Sequence, residues 1–341
     1  SVFYAFLIFL FIRTFFFEAF TIPTSSMEKS LLIGDYVIVN KAAYGGRIPM
    51  TPLSFPFSHQ ILSFTKNTSS YLDWIKIPYF RIWGYSEIKR NDVVVFNYPK
   101  EDDFPVDQKT HFIKRCIAIP GDTLLITDRD IYIDKRKTAP VENAAFNYII
   151  QTDSTHLDSN VMDKLGITEG AKISNYGHYS LFMTQASADS ISKLKNVKSI
   201  KINSEKPGDY ADYVFPHSEN YPWNADNYGP LVIPGKGDSV LINTINIHLY
   251  DKIISAYEKN ILKVVNDTVY INGKIASYYV FKMNYYFMMG DSRHMSEDSR
   301  FWGFVPEDHI VGKASLIILS VDKAASWTDK IRWNRCFKRV K

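Results

Sequence analysis

The first twenty residues, SVFYAFLIFLFIRTFFFEAF, constrain the fold of this 341-residue chain more than any other segment, because they are overwhelmingly apolar. Residues 2–12 carry no charge, whereas Arg13 and Glu18 interrupt the apolar run that follows. A membrane-spanning helix needs about 20 apolar residues, so the uncharged part alone is marginal for one. Three interpretations compete: a cleaved signal peptide, a buried core helix, and the exit half of a membrane anchor whose upstream part is missing.

The signal-peptide interpretation requires a basic start, a shorter apolar core and a small-x-small cleavage site. The stretch FFFEAFTIP offers no such site. Arg13 and Glu18 can pair with each other or reach lipid headgroups at the end of a helix. We therefore expect residues 1–20 to be a transmembrane anchor, and the start at Ser1 rather than Met suggests that this anchor is truncated at its N-terminus.

Composition excludes several classes of protein. A hydrophobic content of 46% with 22% charged residues indicates a folded chain. The formal net charge of +4, with no long Lys/Arg block outside the C-terminus, gives no sign of nucleic-acid binding. The two cysteines, Cys116 and Cys336, are far apart and form neither a disulfide framework nor a zinc-binding spacing.

Alternating apolar and polar residues after the anchor predict a mainly β fold. Strand patterns occur at GDYVIVNK (34–41), DVVVFNYP (92–99), THFIKRCIAIPGD (110–122) and ASLIILSV (314–321). The charged break in TLLITDRDIYIDKR (123–136) predicts one hairpin, and Asn272-Gly273 between two β-runs predicts another. The predicted core is interrupted by a more polar range that contains helix-like pieces such as HLYDKIISAYEKN (248–260).

These patterns divide the chain into five parts, of which the anchor is the first. We predict the first part of a β core at 21–139 with a loop-rich insertion at 42–87, an inserted α+β lobe at 140–260, the second part of the core at 261–321, and a basic aromatic tail at 322–341. Four aromatic residues of the 42–87 insertion suit either local core packing or a membrane interface: Trp74, Tyr79, Phe80 and Trp83. The tail suits either a solvated end or a segment held on anionic lipid.

A serine hydroxyl after Pro23 raises the question of which base could activate it, because a serine is a poor nucleophile until its proton is removed. The eight histidines are not arranged in a recognisable triad motif, and there is no GxSxG elbow. Lys114 lies in the apolar run HFIKRCIAI, where loss of water would lower its pKa from about 10.4 toward 7 to 8, at a cost of about 4 kcal/mol. The alternative is an edge-strand lysine that points to solvent.

Four segments in this order resemble the conserved boxes of bacterial type I signal peptidases, which are membrane-bound serine proteases of peptidase family S26 with a Ser/Lys dyad. The segments are IPTSSM (22–27), KRNDVVVF (89–96), FIKRCIAIPGD (112–122) and MMGDSRHMSEDSRFWGFVP (288–306). The resemblance implies a coiled β-sheet or barrel core with a membrane helix before it, and it covers none of the 140–260 lobe that the sequence pattern predicts to be inserted.

The resemblance also assigns roles to individual residues. It makes Ser26 the nucleophile and Lys114 the general base, with the Thr24 hydroxyl and the Ser26 N–H as oxyanion donors and Ser25 at a variable position. Support is assigned to four residues: Ser296, which orients the lysine amine, the charged pair Asp298 and Arg300, and Arg115 beside the base. Apolar pockets that accept small residues, Ala above all, are assigned to Ile22, Met27, Leu31, Phe112 and Ile113, for which core packing is the equal alternative.

The implied activity is removal of signal peptides from exported preproteins after Ala-x-Ala-type sites, with no metal and no cofactor. The implied location is the bacterial inner membrane, single or multi-pass, with the catalytic domain on the periplasmic or extracytoplasmic side. Exported preproteins and membrane lipid are the implied partners, and the secretion machinery is a further candidate; nucleic acid is not expected. The alternatives are a catalytically silent membrane-anchored binding protein and a self-cleaving repressor-type Ser/Lys peptidase.

Two departures from the family pattern concern neighbours of the proposed site. Ser-Met is followed by Glu28-Lys29-Ser30-Leu31 where the family commonly has a Pro-Thr-Leu sequence after one short residue. The usual Gly-Asp-Asn-Arg-Asp-Asn-Ser becomes 290-GDSRHMS-296 in this chain. These changes concern turn rigidity and local charge, so we expect them to affect rate or specificity more than reaction type.

Overall fold

The computed structural model describes residues 2–62, 65, 67–323 and 325–340, and these residues form mainly β-structure. The strands are β1 (Phe17–Thr21), β2 (Asp35–Asn40), β3 (Val93–Asn97), β4 (His111–Ala118), β5 (Thr123–Thr127), β6 (Asp130–Ile133), β7 (Arg136–Lys137), β8 (Ala145–Thr152), β9 (Glu169–Ser174), β10 (His178–Thr184), β11 (Val197–Ile202), β12 (Tyr228–Val232), β13 (Ser239–Leu241), β14 (Leu262–Val265), β15 (Thr268–Ile271), β16 (Lys274–Ile275), β17 (Tyr278–Val280), β18 (Tyr285–Met289), β19 (Val305–Pro306), β20 (Ile310–Ser320) and β21 (Lys338–Arg339). The helices are α1 (Val2–Phe15), α2 (Ser159–Lys164), α3 (Gln185–Ser192), α4 (Ile247–Lys252) and α5 (Ser299–Trp302). Short 3₁₀ turns lie at Ser25–Met27, Val106–Gln108, Glu307–His309 and Trp333–Arg335, and α4 continues into a π-helical turn at Ile253–Tyr257.

The N-terminal segment differs from the expected anchor over residues 1–20. Helix α1 ends at Phe15, and the following residues form strand β1, which pairs antiparallel with β2. Glu18 alternates inward on β1 and forms ion pairs with Arg13 and Lys41, which explains why the chain leaves the helix here. The 14 residues of α1 span about 21 Å. In the part of the chain that the structure describes, no helix combines the length and apolar character that a membrane crossing requires.

A curled eight-stranded sheet forms the centre of the molecule, in the order β1-β2-β20-β3-β4-β18-β19 with β21 added beside β20. The four strands predicted from alternation are all present in it, as β2, β3, β4 and β20. Side chains from this sheet pack against a smaller sheet of order β12-β5-β6-β7 and form the largest apolar core. The mainly β fold predicted from the sequence is therefore confirmed.

Both predicted hairpins are present. Strands β5 and β6 pair around Asp128 and Arg129, and β15 pairs with β16 around Asn272-Gly273. Asn272 and Gly273 have φ values of 52° and 79°, the left-handed conformations that a type I′ turn requires.

The range predicted as one inserted lobe, 140–260, is divided in the structure. Strands β8 to β11 form a separate sheet that packs on α2 and α3 around its own apolar cluster, and we call residues 145–202 the inserted lobe. Beyond it, β12 pairs with β5, and α4 packs into the main core. The polar loops that separate these elements conceal their long-range pairing in the sequence, and the predicted domain bounds stay a prediction.

The described residues of the 42–87 insertion form no helix or strand, only isolated bridges such as Arg47 with Arg81. Trp83 is 99% exposed and Trp74 is 79% exposed, and Phe80 is also exposed, whereas Tyr79 is half-buried. Local core packing was therefore the wrong interpretation for three of the four aromatic residues. In the basic tail, β21 joins the main sheet and Arg335 pairs with Asp35 at 2.6 Å.

Candidate active site

Ser26 lies in the 3₁₀ turn at Ser25–Met27, directly after β1. Pro23 restricts the backbone at the entry to this turn. The Ser26 carbonyl accepts a hydrogen bond of 3.1 Å from the Ser292 N–H, so the turn is attached to the loop that follows β18. Ser26 itself is 8% exposed, which leaves its hydroxyl in a largely water-excluded position.

Lys114 reaches Ser26 from strand β4, where it pairs with Val94 of β3. Its Nζ lies 2.5 Å from the Ser26 Oγ, and the lysine is 4% exposed. Burial lowers the pKa of Lys114 to about 8, while the more distant carboxylates of Asp298, Glu297 and Asp291 act in the opposite direction. The structure thus brings together the two side chains that the sequence singled out, and it provides the desolvation that a neutral amine requires.

Thr24 precedes the turn in an extended conformation, and its side chain is exposed and makes no capping hydrogen bond. The hydroxyl is therefore not committed to holding the turn together. Its assignment as an oxyanion donor stays a prediction.

Ser296 lies beside the nucleophile turn but does not make the predicted contact. A Cβ added to Gly290 would lie 2.2 Å from the Ser296 Oγ and 2.5 Å from the Ser26 carbonyl oxygen, which places these two groups close together. The buried Ser296 hydroxyl has no hydrogen-bond partner among the described residues. The expected bond from Ser296 to the Lys114 amine is consequently absent from this structure.

Asp298 and Arg300 form the expected charged pair, and both are almost fully buried. The Arg300 Nη2 donates to the Asp298 Oδ2 at 2.9 Å, and Asp298 also accepts from the Gly290 N–H at 3.0 Å. Because Asp298 bonds to Gly290 as well as Arg300, the pair braces the loop behind Ser26. Arg300 and the N–H bonds hold the pKa of Asp298 below its usual value although burial opposes them.

Arg115 points away from Lys114 and pairs with Asp291, a residue that the sequence analysis did not single out. The guanidinium donates to both Asp291 carboxylate oxygens, at 2.7 and 2.6 Å, and Ser30 donates to the same carboxylate at 2.5 Å. This network connects β4, the nucleophile segment and the loop after β18. The Gly-Asp sequence that follows a buried strand was the available signal for Asp291.

A second unpredicted connection involves His294, which stands where the family pattern has an aspartate. Its Nε2 lies 2.7 Å from the Asp226 Oδ1, and its Nδ1 accepts a hydrogen bond of 3.1 Å from the Asn147 N–H. The N–H at Asn147 requires an unprotonated Nδ1, so the neutral imidazole donates from Nε2 to Asp226. His294 thereby attaches the loop after β18 to the inserted lobe.

The predicted pocket residues separate into two groups. Ile22, Met27 and Leu31 lie in one apolar cluster with Ile113 packed against it, and Met27 and Leu31 have no exposed surface. Phe112 belongs to a different cluster and stacks on Tyr98 with a centroid distance of 4.2 Å. Met27 and Leu31 therefore serve as core packing beneath the turn in this structure.

Strand β4 offers an unpaired edge next to Ser26. Its pairing with β18 begins only at Arg115, whereas its pairing with β3 extends over His111–Arg115. Residues 112–114 thus have a partner strand on one side only. The described residues contain no cluster of histidine, cysteine or carboxylate side chains that could hold a metal ion.

Comparison with known proteins defines the class of this chain. The model of a family described as signal peptidase, peptidase S26, matches residues 1–192 and 233–319. The chain is 29% identical over 338 residues to signal peptidase I of Buchnera aphidicola from Acyrthosiphon pisum, a match that covers 98% of this chain and 79% of the relative. Signal peptidase I of Haemophilus influenzae is 26% identical over 333 residues (97% and 71% covered), and that of Aquifex aeolicus is 28% identical over 311 residues (91% and 79%).

The protein is therefore a serine endopeptidase. More particularly, the chain belongs to the signal peptidase family, peptidase S26, because the family model covers more than half of its length.

Proposed function

We propose that this endopeptidase removes signal peptides from exported preproteins, with Ser26 as the nucleophile and Lys114 as the general base. The observation that carries the proposal is the contact of 2.5 Å between the Lys114 Nζ and the Ser26 Oγ in a buried position. A pKa of about 8 leaves a useful fraction of the amine neutral near pH 7 to 8. The named relatives, each a signal peptidase I, support the substrate class.

In the proposed cycle, neutral Lys114 accepts the Ser26 proton while the Ser26 oxygen attacks the scissile carbonyl. The developing oxyanion is stabilised by the Ser26 N–H and the Thr24 hydroxyl. Lys114 then returns the proton to the leaving amine, and the acyl-enzyme forms. In the second half, Lys114 takes a proton from water as the water oxygen attacks the ester, the C–O bond to Ser26 breaks to release the acyl product as a carboxylic acid, and Lys114 returns the proton to the Ser26 oxygen.

The free edge of β4 at residues 112–114 is the proposed binding surface for substrate. An extended peptide can add to such an edge through backbone hydrogen bonds, while alternate side chains face the protein. We expect the buried cluster around Met27 and Leu31, against which Ile113 packs, to leave only shallow pockets at this edge. Shallow depth favours small side chains, and alanine in particular, at the first and third positions before the cut.

Membrane attachment is part of the proposal and is supported by exposed apolar surface. The large apolar side chains of α1 are mostly exposed, from 43% for Phe6 to 83% for Val2, and the exposed tryptophans of the 42–87 insertion add to this surface. Apolar patches of this kind indicate contact with lipid or another protein. We place the site at the extracytoplasmic face of a bacterial inner membrane, where exported preproteins emerge.

Cleavage of a purified preprotein tests the catalytic proposal. Wild type and the Ser25→Ala control should cut after a small residue, whereas Ser26→Ala and Lys114→Ala should not. Full activity in either Ser26→Ala or Lys114→Ala would refute the mechanism. Binding of preprotein without cleavage by the wild type would instead favour a silent binding protein, and cleavage within this chain itself would favour the self-cleaving alternative.

A further inference from the structure

Arg293 is a buried arginine that the proposed reaction does not use. It lies in the loop after β18, three residues before Ser296, and is 3% exposed. Its backbone N–H donates to the Ala145 carbonyl of the inserted lobe at 2.8 Å, and its backbone carbonyl accepts from Arg300. The backbone N–H and carbonyl of Arg293 are therefore both hydrogen-bonded, to the inserted lobe and to Arg300.

The Arg293 guanidinium forms no direct ion pair within the described residues, although the carboxylates of Asp291 and Asp298 lie near enough to favour its charged form. None of them forms a hydrogen bond or ion pair with it, and its Nε is fully buried without a partner. The charges around it are already matched with each other, Arg300 with Asp298 and Arg115 with Asp291. Burial, together with Arg300 and Arg115, lowers the pKa of Arg293 to about 10 while Asp291 and Asp298 act in the opposite direction, so the side chain stays protonated at neutral pH. Removing such a charge from water without compensation is strongly unfavourable.

Arg293 lines a cavity of about 330 Å³ that lies between the loop after β18, Asn147 of the inserted lobe and the segment 203–226 that follows the lobe. Neutral hydrogen-bonding groups of Asn203 and Ser204 line the same cavity, and both residues are exposed, which gives solvent access from that side. Two carboxylates also border it, and each is hydrogen-bonded to a neutral side chain rather than paired with a cation. Glu205 accepts from the Tyr213 hydroxyl at 2.5 Å, and Asp226 pairs with His294 at 2.7 Å.

We propose that this cavity binds a small oxyanion, of the phosphate or carboxylate class, on Arg293. A guanidinium presents two parallel N–H groups that match two oxygens of such an anion. Asn203 and Ser204 supply neutral donors on the solvent side. The bound anion compensates the buried charge and connects the segment that follows the inserted lobe to the loop that carries Ser296. This site is separate from the dyad, and its test does not require peptidase activity.

The test measures the thermal unfolding of the full chain in inorganic phosphate, acetate and chloride at equal ionic strength. We expect phosphate, acetate or both to raise Tm in a saturable way, since a ligand bound only by the folded state reduces the unfolding constant by the factor 1 + [L]/Kd. The comparison of the two anions identifies the preferred class. A response equal to that in chloride would overturn the proposal.

Two variants test whether the oxyanion response arises at the Arg293 cavity. Arg293→Gln should lose the response to phosphate and acetate while it retains the response to general ionic strength. Asn203→Asp supplies a carboxylate of nearly the same shape in the cavity, so it should raise Tm in chloride alone and weaken the oxyanion response. If Arg293→Gln does not fold, Asn203→Asp decides the matter alone, and an unchanged oxyanion response in either folded variant would contradict the site.

Discussion

Two buried lysines five residues apart, Lys109 and Lys114, show how neighbours determine what a desolvated amine can do. Each is 4% exposed, and burial lowers the pKa of both. The Lys109 Nζ lies 3.2 Å from the His309 Nε2 and 3.8 Å from an Asp102 carboxylate oxygen. Lys114 contacts the Ser26 hydroxyl, and no described carboxylate lies within 4.0 Å of its amine.

The two lysines are equally buried, so they differ in the protonation state that their neighbours favour. At Lys109, a charged amine can donate to His309, which in turn lies 2.6 Å from Asp308, so the chain of groups favours the protonated lysine. At Lys114 the contacting group is a neutral hydroxyl, which can accept from the amine or donate to it, so burial decides and favours the neutral amine. We infer that Lys109 is a structural cation and Lys114 a base, although both occur near the same strand.

Replacing each lysine by methionine gives the largest expected effect. Lys114→Met should lower kcat/KM for a preprotein by at least about 10³-fold, because the nucleophile loses its base. Lys109→Met should cleave at close to the wild-type rate. Steady-state assays of the two purified variants measure this contrast, and equal losses in both would remove the distinction between the two lysines.

The two substitutions should affect the free energy of unfolding in the opposite order, with the larger loss in Lys109→Met. Lys109→Met leaves the His309 Nε2 buried without its donor, which should lower the free energy of unfolding by about 1–3 kcal/mol. Lys114→Met removes an isolated buried amine and should unfold at an equal or higher urea concentration. A marked destabilisation by Lys114→Met alone would contradict this account.

The Thr24→Val variant tests whether the Thr24 hydroxyl contributes to catalysis at the Lys114 site. If the Thr24 hydroxyl stabilises the oxyanion, the loss in kcat should be about 10² to 10³-fold, while Thr24→Ser retains most activity. Because Thr24 is exposed and makes no capping bond, thermal stability should not change. Wild-type kcat in Thr24→Val would eliminate this residue from the oxyanion site.

Ser296→Ala should have a smaller effect. Its hydroxyl lies close to the Ser26 carbonyl but has no partner in the described structure, so it is available to orient the lysine amine once substrate binds. A hydrogen bond worth about 0.5–1.5 kcal/mol corresponds to a loss of roughly 2- to 10-fold in kcat with little change in KM. A change confined to KM would indicate a role in substrate binding instead.

The sequence was sufficient for the parts of this molecule that depend on local pattern. Alternation identified the central strands, Asn272-Gly273 identified a hairpin, and the run around Lys114 identified a desolvated lysine. Which strands and which side chains pair with each other could not be predicted in the same way. The pairing of β12 with β5, and of Arg115 with Asp291, depends on contacts between residues that are distant in sequence.

The end of helix α1 is a further feature that the sequence pattern did not reveal. The phenylalanines after Arg13 suit a helix or a strand equally well, and the ion pairs of Glu18 with Arg13 and Lys41 favour the strand. The apparent continuity of the apolar run therefore concealed a change of secondary structure. His294 was likewise seen as a departure from the family pattern, but its partners Asp226 and Asn147 come from regions without any recognised motif.

The pH dependence of kcat/KM tests the central proposal, Lys114 as the base for Ser26, most directly. The amine is protonated below its pKa and cannot then accept the Ser26 proton, so activity should rise with pH and level off above about 8. Between pH 8 and pH 6 the rate should fall by roughly 50-fold, since the neutral fraction decreases almost tenfold per pH unit well below the pKa. The Lys109→Met variant should give the same profile. A rate that is flat from about pH 5 to 9 would contradict the lysine base.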